Sequence, residues 1–187
     1  MTIKKNFINL LVCPKTGSKL TLDNNYLINE RGDNYPIVES IPVLLTEKTT
    51  TLWVANASYA AARNNKNDKY YINTLGITKS EIKELQGKIK NLKNFKGVDP
   101  VISYLQLATS GYMYSHLVGT NLSVVPIPKI DLPNAKKNEI LLDIGCNWGR
   151  WSIAAAKLGY RVIGIDPSLG AVLAAKRLAE KFEVDHL

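Results

Sequence analysis

Two carboxylates and two glycines stand at a spacing that suits ligand chemistry. They are Asp143, Gly145 and Gly149 in the run Asp143-Ile144-Gly145-Cys146-Asn147-Trp148-Gly149, followed by Asp166. Gly145 lets the chain turn sharply out of a strand and brings its backbone close to a ligand. Gly149 falls at the start of the next helix, where a side chain would hinder that approach or the packing on a sheet. Asp166 follows Gly145 by 21 residues, where a nucleotide-binding α/β unit places an acid for ribose hydroxyls. A dinucleotide site needs G-x-G-x-x-G, with a pyrophosphate on the helix N-terminus. Here the position two after Gly145 is Asn147. Asp143, at the strand end, repels phosphates but accepts from an ammonium group. A third reading is an α/β domain whose glycines only make tight turns.

These residues need a strand, a turn, a helix and a second strand to position them. Glu139 to Asp143 is short and almost wholly apolar, as expected of a buried parallel strand. A helix is predicted from about Trp148 to Leu158, closed by Gly159 as its C-cap. Arg161 to Asp166 reads as a second buried strand. Pro167 then opens a helix in which Leu169, Val172, Leu173, Ala179 and Phe182 can face the sheet. Strand, helix, strand, helix is the start of a doubly wound, Rossmann-like α/β sheet, assigned to residues 131–187.

The motif resembles that of the class I S-adenosylmethionine-dependent methyltransferases, whose first motif has the form D-x-G-x-x-x-G after strand one. Asp143, Gly145 and Gly149 match it, and Asp166 matches the family's ribose-binding acid. The resemblance implies S-adenosylmethionine as cofactor, held by Asp143, Gly145, Cys146, Asn147, Gly149, Asp166 and Pro167. The loop would line the methionine part and Asp166 would take the ribose hydroxyls. It implies methyl transfer but assigns neither acceptor nor catalytic residues, because the acceptor's contacts normally lie in later segments. The chain is therefore expected to be an incomplete portion of such an enzyme and inactive alone. Its open strand edge at Ile140-Leu141-Leu142 is expected to invite self-association or a protein partner. The alternative is a non-catalytic activator or scaffold that binds a partner methyltransferase or RNA.

Residues 1–48 read as a small β-rich module. Strands are predicted at Lys19–Leu22, Tyr26–Ile28, Tyr35–Val38 and Ile41–Leu45, with turns at Asp23–Asn25 and Arg31–Asn34. Pro36 and Pro42 place their segments at sheet edges. A module this small has little core of its own and normally needs a metal or a docking partner. Leu10-Leu11-Val12-Cys13-Pro14, with Tyr35-Pro36-Ile37-Val38-Glu39-Ser40-Ile41-Pro42-Val43-Leu44-Leu45, resembles the zinc-ribbon-like domain of the tRNA-methyltransferase activator subunit. Zinc-binding members carry C-P-x-C, whereas Thr16 stands at the second cysteine position here. A structural zinc site wants four Cys or His ligands. Cys13, Cys146, His116 and His186 are too scattered to supply them, so no metal is expected and Cys13 reads as a buried small hydrophobe.

Residues 49–130 form a helical linker or cap. Thr78-Lys79-Ser80-Glu81 is a capping box. After it, Ile82, Leu85, Ile89 and Leu92 make an apolar stripe, with Lys79, Lys83, Lys90 and Lys93 on another face. Asp99-Pro100 starts a further helix to about Ser110-Gly111, and Pro126, Pro128 and Pro133 mark an extended connector. Tyr104, Tyr112, Met113, Tyr114 and His116 either roof a pocket or pack helices on the sheet. Arg150 either steers an acidic substrate or makes a surface ion pair.

Composition excludes several classes. With 187 residues, 45% hydrophobic and 21% charged, the chain is ordinary globular material. No apolar run reaches the roughly 18–20 residues that span a bilayer, and Phe7 to Val12 is too short for a secretory leader. Two distant cysteines give no disulfide framework, so a cytoplasmic location is expected. Net charge is +8, concentrated between Arg63 and Lys96. Such a face suits a polyanion such as RNA, or is simply solvated.

Overall fold

The computed structural model describes residues 3–47, 52–64, 68–90, 99–110 and 125–184. It is a mixed α/β structure with a four-stranded antiparallel sheet and a two-stranded parallel sheet.

A single helical turn, α1 (Lys5–Ile8), leads into a knuckle where the Thr16 and Gly17 amides both donate to the Cys13 carbonyl. Strands β1 (Thr21–Asp23), β2 (Tyr26–Ile28), β3 (Asn34–Val38) and β4 (Ile41–Pro42) follow in sequential antiparallel order. The first strand starts later than expected, at Thr21. The β1–β2 hairpin turns through Asn24-Asn25, as the turn cluster predicts, with Asn24 left-handed. The β3–β4 hairpin turns through Glu39-Ser40, at φ 49° and 69°. That pair holds neither Gly nor Asn, the usual signature of such a turn, so the hairpin was not legible.

Pro36 corrects the edge-strand expectation: β3 is internal, paired with both β2 and β4. The Ile37 amide donates toward β2, to Asn25, so the neighbouring Pro36 nitrogen faces β4. There the ladder retains the bond from the Val43 amide to the Pro36 carbonyl. Lacking the reciprocal donor, β4 is only two residues long rather than reaching Leu45. Ile8, Cys13, Leu20, Leu27 and Tyr35 form the module's small core.

Helix α2 (Trp53–Asn64), a 3₁₀ turn at Ile72–Thr74, α3 (Lys79–Lys90) and α4 (Pro100–Ser110) make the middle layer. The capping box forms as predicted: Thr78 Oγ1 accepts from the Glu81 amide at 3.3 Å and Glu81 Oε2 accepts from the Thr78 amide at 2.7 Å. Leu85 is buried, Ile82 and Ile89 pack partly, and Lys79, Lys83 and Lys90 are exposed. Leu92, Lys93 and Lys96 lie outside the described residues. Asp99 Oδ1 accepts from the Val101 amide at 2.8 Å, capping α4 as expected.

β5 (Ile140–Ile144), α5 (Arg150–Ala156) and β6 (Arg161–Ile165) form a parallel β-α-β unit, with Ile140 opposite Arg161 and Ile144 opposite Ile165. Helix α5 is shorter than predicted. Gly159, at φ 91°, closes it with the Tyr160 amide on the Ala155 carbonyl, a Schellman ending. The final helix, α6 (Leu169–Lys181), is capped by Ser168 rather than opened by Pro167.

Two expectations for this unit are corrected. β5 is not buried on both faces: Ile140, Leu142 and Ile144 are 46%, 55% and 76% exposed, beside Ile165 at 47%. Helix α5 packs on the sheet, while the carboxyl-end half of this face, Ile144, Ile163 and Ile165, borders a cavity that Phe7, Leu11 and the segment 40–45 also line. Nor does α6 lie flat on the sheet. It packs on α4, the 3₁₀ turn and α2, while Leu169 and Leu173 bury against Val43 of the β-module. Lys176 Nζ donates to the Glu39 carbonyl at 2.6 Å and Arg63 to the Asn34 carbonyl at 2.9 Å. The β-module therefore borrows its second core from α2 and α6.

Candidate functional site

The parallel unit brings the motif loop and Asp166 together. Gly145 sits at φ 78°, and a Cβ there would meet nothing within 4 Å. Its torsion demands glycine, and the space beside it is open. Asn147 is left-handed at φ 49°, a conformation Asn tolerates, and its Oδ1 accepts from the Trp148 amide at 2.8 Å. The Asn147 amide donates to Asp166 Oδ2 at 3.0 Å, and the Ser168 amide to Oδ1 at 2.8 Å. Asp166 thus ties the loop after β5 to the start of α6. A carboxylate has about four lone-pair sites, so acceptor capacity remains after these two bonds. Burial raises the Asp166 pKa, the two amides oppose that, and the Asp143 charge adds to it.

The remaining motif residues divide into packing and support. Gly149, at φ 83°, faces α6: a Cβ would come 2.9 Å from the Ala175 Cβ. Asp143 Oδ2 accepts from Ser152 Oγ at 2.6 Å, which anchors the strand end to α5. Cys146 is buried. Desolvation first, then the Asp166 and Asp143 charges, push its thiol up to about 12, which favours the protonated form. Gly164 in β6 is the partner that sequence reasoning missed: a Cβ there would lie 3.0 Å from Cys146 Sγ and 3.3 Å from Ser152 Oγ.

A cavity of about 490 Å³ opens at the carboxyl ends of the two strands. Gly145, Asp166 and Pro167 line it, with Ile163 and Ile165 of β6 and the segment 40–45 of the β-module. A second cavity of about 240 Å³ lies between α5, β6, α6 and α1, lined by Cys146, Gly149 and Gly164 among others. Asp143 and Asn147 line neither; they hold Ser152 and Asp166 in place. Ser58 and Thr74 carried no motif signal, yet both matter. Ser58 Oγ accepts from the Leu169 amide at 3.0 Å, and Thr74 Oγ1 from the Gly170 amide at 2.8 Å. With Ser168 Oγ on the Ala171 amide at 3.1 Å, the start of α6 has spent the donors that bind phosphate.

At the ribbon knuckle, Asn29 occupies the centre of a hydrogen-bonded knot. Its Nδ2 donates to Cys13 Sγ at 3.2 Å and Asp33 Oδ2 at 3.0 Å, with a longer approach of 3.5 Å to Thr16 Oγ1. Its Oδ1 accepts from the Arg31 and Asp33 amides at 3.0 and 2.9 Å. Tyr35 Oη lies 3.2 Å from Cys13 Sγ. Cys13 is buried as expected, but among polar partners rather than in a purely apolar site. Among the described residues, no three His, Cys, Asp or Glu side chains converge to hold a metal ion.

Of the aromatic cluster expected to roof a pocket or pack helices, Tyr104 is buried in the helical core with Lys88 over its ring at 5.2 Å. It lines neither cavity. Tyr112, Met113, Tyr114, His116 and His186 lie outside the described residues. Arg150 stacks over Trp151 at 5.3 Å. No helix among the described residues is long and apolar enough to cross a membrane.

Neither the protein-family models nor the curated proteins compared with this chain give a match.

Proposed function

We propose that this chain binds S-adenosylmethionine in the crevice at the carboxyl ends of β5 and β6, as part of a Rossmann-like methyl-transfer domain. One observation carries the reading: Asp166, at the end of the second strand, clamps the D-x-G-x-x-x-G loop and borders the cavity that begins at Gly145. That cavity, about 490 Å³, falls in the roughly 300–1,000 Å³ range of small-molecule sites. The remaining acceptor capacity of Asp166 suits a vicinal diol. The Asp143 charge and Asn147, where a second glycine would stand, disfavour a pyrophosphate.

The bound cofactor would supply an activated sulfonium methyl group. The protein's work is then positioning: Asp166 orients the ribose, Gly145 admits the backbone to close contact, and apolar walls exclude water. The acceptor is unassigned, and the proposed setting is the cytoplasm. A second reading, a non-catalytic scaffold, is favoured by the open apolar face of β5 and β6, and the exposed lysines of α3 would serve an anionic partner such as RNA.

Changing Asp166 to alanine should weaken binding of S-adenosylhomocysteine by about 1–3 kcal/mol, the range for stranding polar partners. Isothermal calorimetry measures it; unchanged affinity would remove Asp166 from the site.

A further inference from the structure

We infer that the β-module forms the outer wall of this crevice, so that the segment Ile41–Leu45 packs against the base of the nucleoside. The inference rests on the S-adenosyl reading and assigns a role to a part of the chain outside the motif. In the larger cavity, Ile41, Pro42, Leu44 and Leu45 join Ile163, Ile165 and Asp166 as lining. Apolar walls with a single carboxylate suit a flat base whose attached sugar presents two hydroxyls. The base loses water against the walls and the diol meets the acid.

The wall is held in place and coupled to the acid. The Val43 amide donates to the Pro36 carbonyl at 2.9 Å, and Val43 is buried against Leu169 and Leu173 of α6. Lys176, on the same helix, grips the Glu39 carbonyl. Helix α6 begins at Ser168, whose amide donates to Asp166. The two walls of the crevice are thus joined through α6, and a nucleoside placed between them touches both modules.

Photolabelling the wild-type chain with 2-azidoadenosine, then mapping the labelled peptides, tests this directly. The expected label falls within residues 40–45 and is suppressed by excess S-adenosylhomocysteine. A suppressible label confined to residues 139–169 would overturn the wall while leaving the cofactor reading intact. The absence of any suppressible label would overturn both. In parallel, Ile41→Ala should weaken adenosine binding about five- to tenfold with the unfolding midpoint within a few degrees of wild type. Unaltered affinity in a folded Ile41→Ala chain would count against the wall.

Discussion

Asp166 and Cys146 show how neighbouring residues divide labour within one loop. Asp166 accepts two amides that oppose the rise in its pKa caused by burial, while Cys146, in the same loop, is kept neutral by burial and by the two carboxylates. The linkage has a definite sign. A thiol with a raised folded-state pKa ionises first in the unfolded chain, so stability is full below about pH 9 and falls as pH rises toward the folded value near 12. At pH 10, one unit above the unfolded value, the loss is roughly 1.4 kcal/mol. Urea titrations at pH 7.5 and 10 should show a loss larger by about this amount in the wild type than in Cys146→Ala, since the buried tyrosines and Cys13 contribute equally to both. Equal pH dependence in both would contradict a buried, neutral thiol. That Gly145 and Asp166 would lie close together was legible because motif spacing is local, whereas the turn of Asp143 toward Ser152 was not. The Asn29 knot was not, since its meaning depends on Cys13, Thr16 and Asp33, which only the folded knuckle brings together.

Local signals also served best at the scale of elements. The Thr78–Glu81 box, the Asp99 cap and the Gly159 ending each formed because their bonds close within a few residues. The errors lie where tertiary contacts decide. Gly149 reads as a ligand-approach glycine, yet its neighbour is Ala175 across the α5–α6 contact. Pro36 reads as an edge residue, yet it sits inside a sheet that gives up one ladder bond. Helix α6 turns Leu169 and Leu173 toward the β-module because the small module offers Val43, and no spacing rule announces that choice. Gly149→Ala should therefore act on the fold, costing about 1–2 kcal/mol for the left-handed torsion and about 1–3 for overpacking. Chemical denaturation measures it; a loss below about 0.5 kcal/mol would show that α5 and α6 do not meet as tightly as 2.9 Å implies.

Across the whole molecule, the β-module, helical layer and parallel unit interlock through α6, but among the described residues part of one sheet face is exposed. Ile140 and Leu142 continue, as an exposed apolar strip, the face on which Ile144 and Ile165 line the cavity, beside a strand edge unpaired among the described residues. Such a surface drives association unless covered. In sedimentation velocity the wild type is expected to form concentration-dependent oligomers that Ile144→Lys suppresses. A monomeric wild type at high concentration would show that the strip does not associate. The α/β character and the order of elements were legible from hydrophobic runs. Which face would remain open was not, because burial is set by what else folds against the sheet.

We propose that Gly145 and Asp166, held together by the Asn147 amide, serve a sulfonium nucleoside rather than a dinucleotide. Heteronuclear NMR titration of the 187-residue chain with S-adenosylhomocysteine, and separately with NAD, tests it most directly. Saturable shifts of the Gly145–Gly149 and Asp166–Ser168 amides are expected with S-adenosylhomocysteine, and much weaker effects with NAD. Tighter binding of NAD, or perturbations by S-adenosylhomocysteine that leave those amides unmoved, would contradict it.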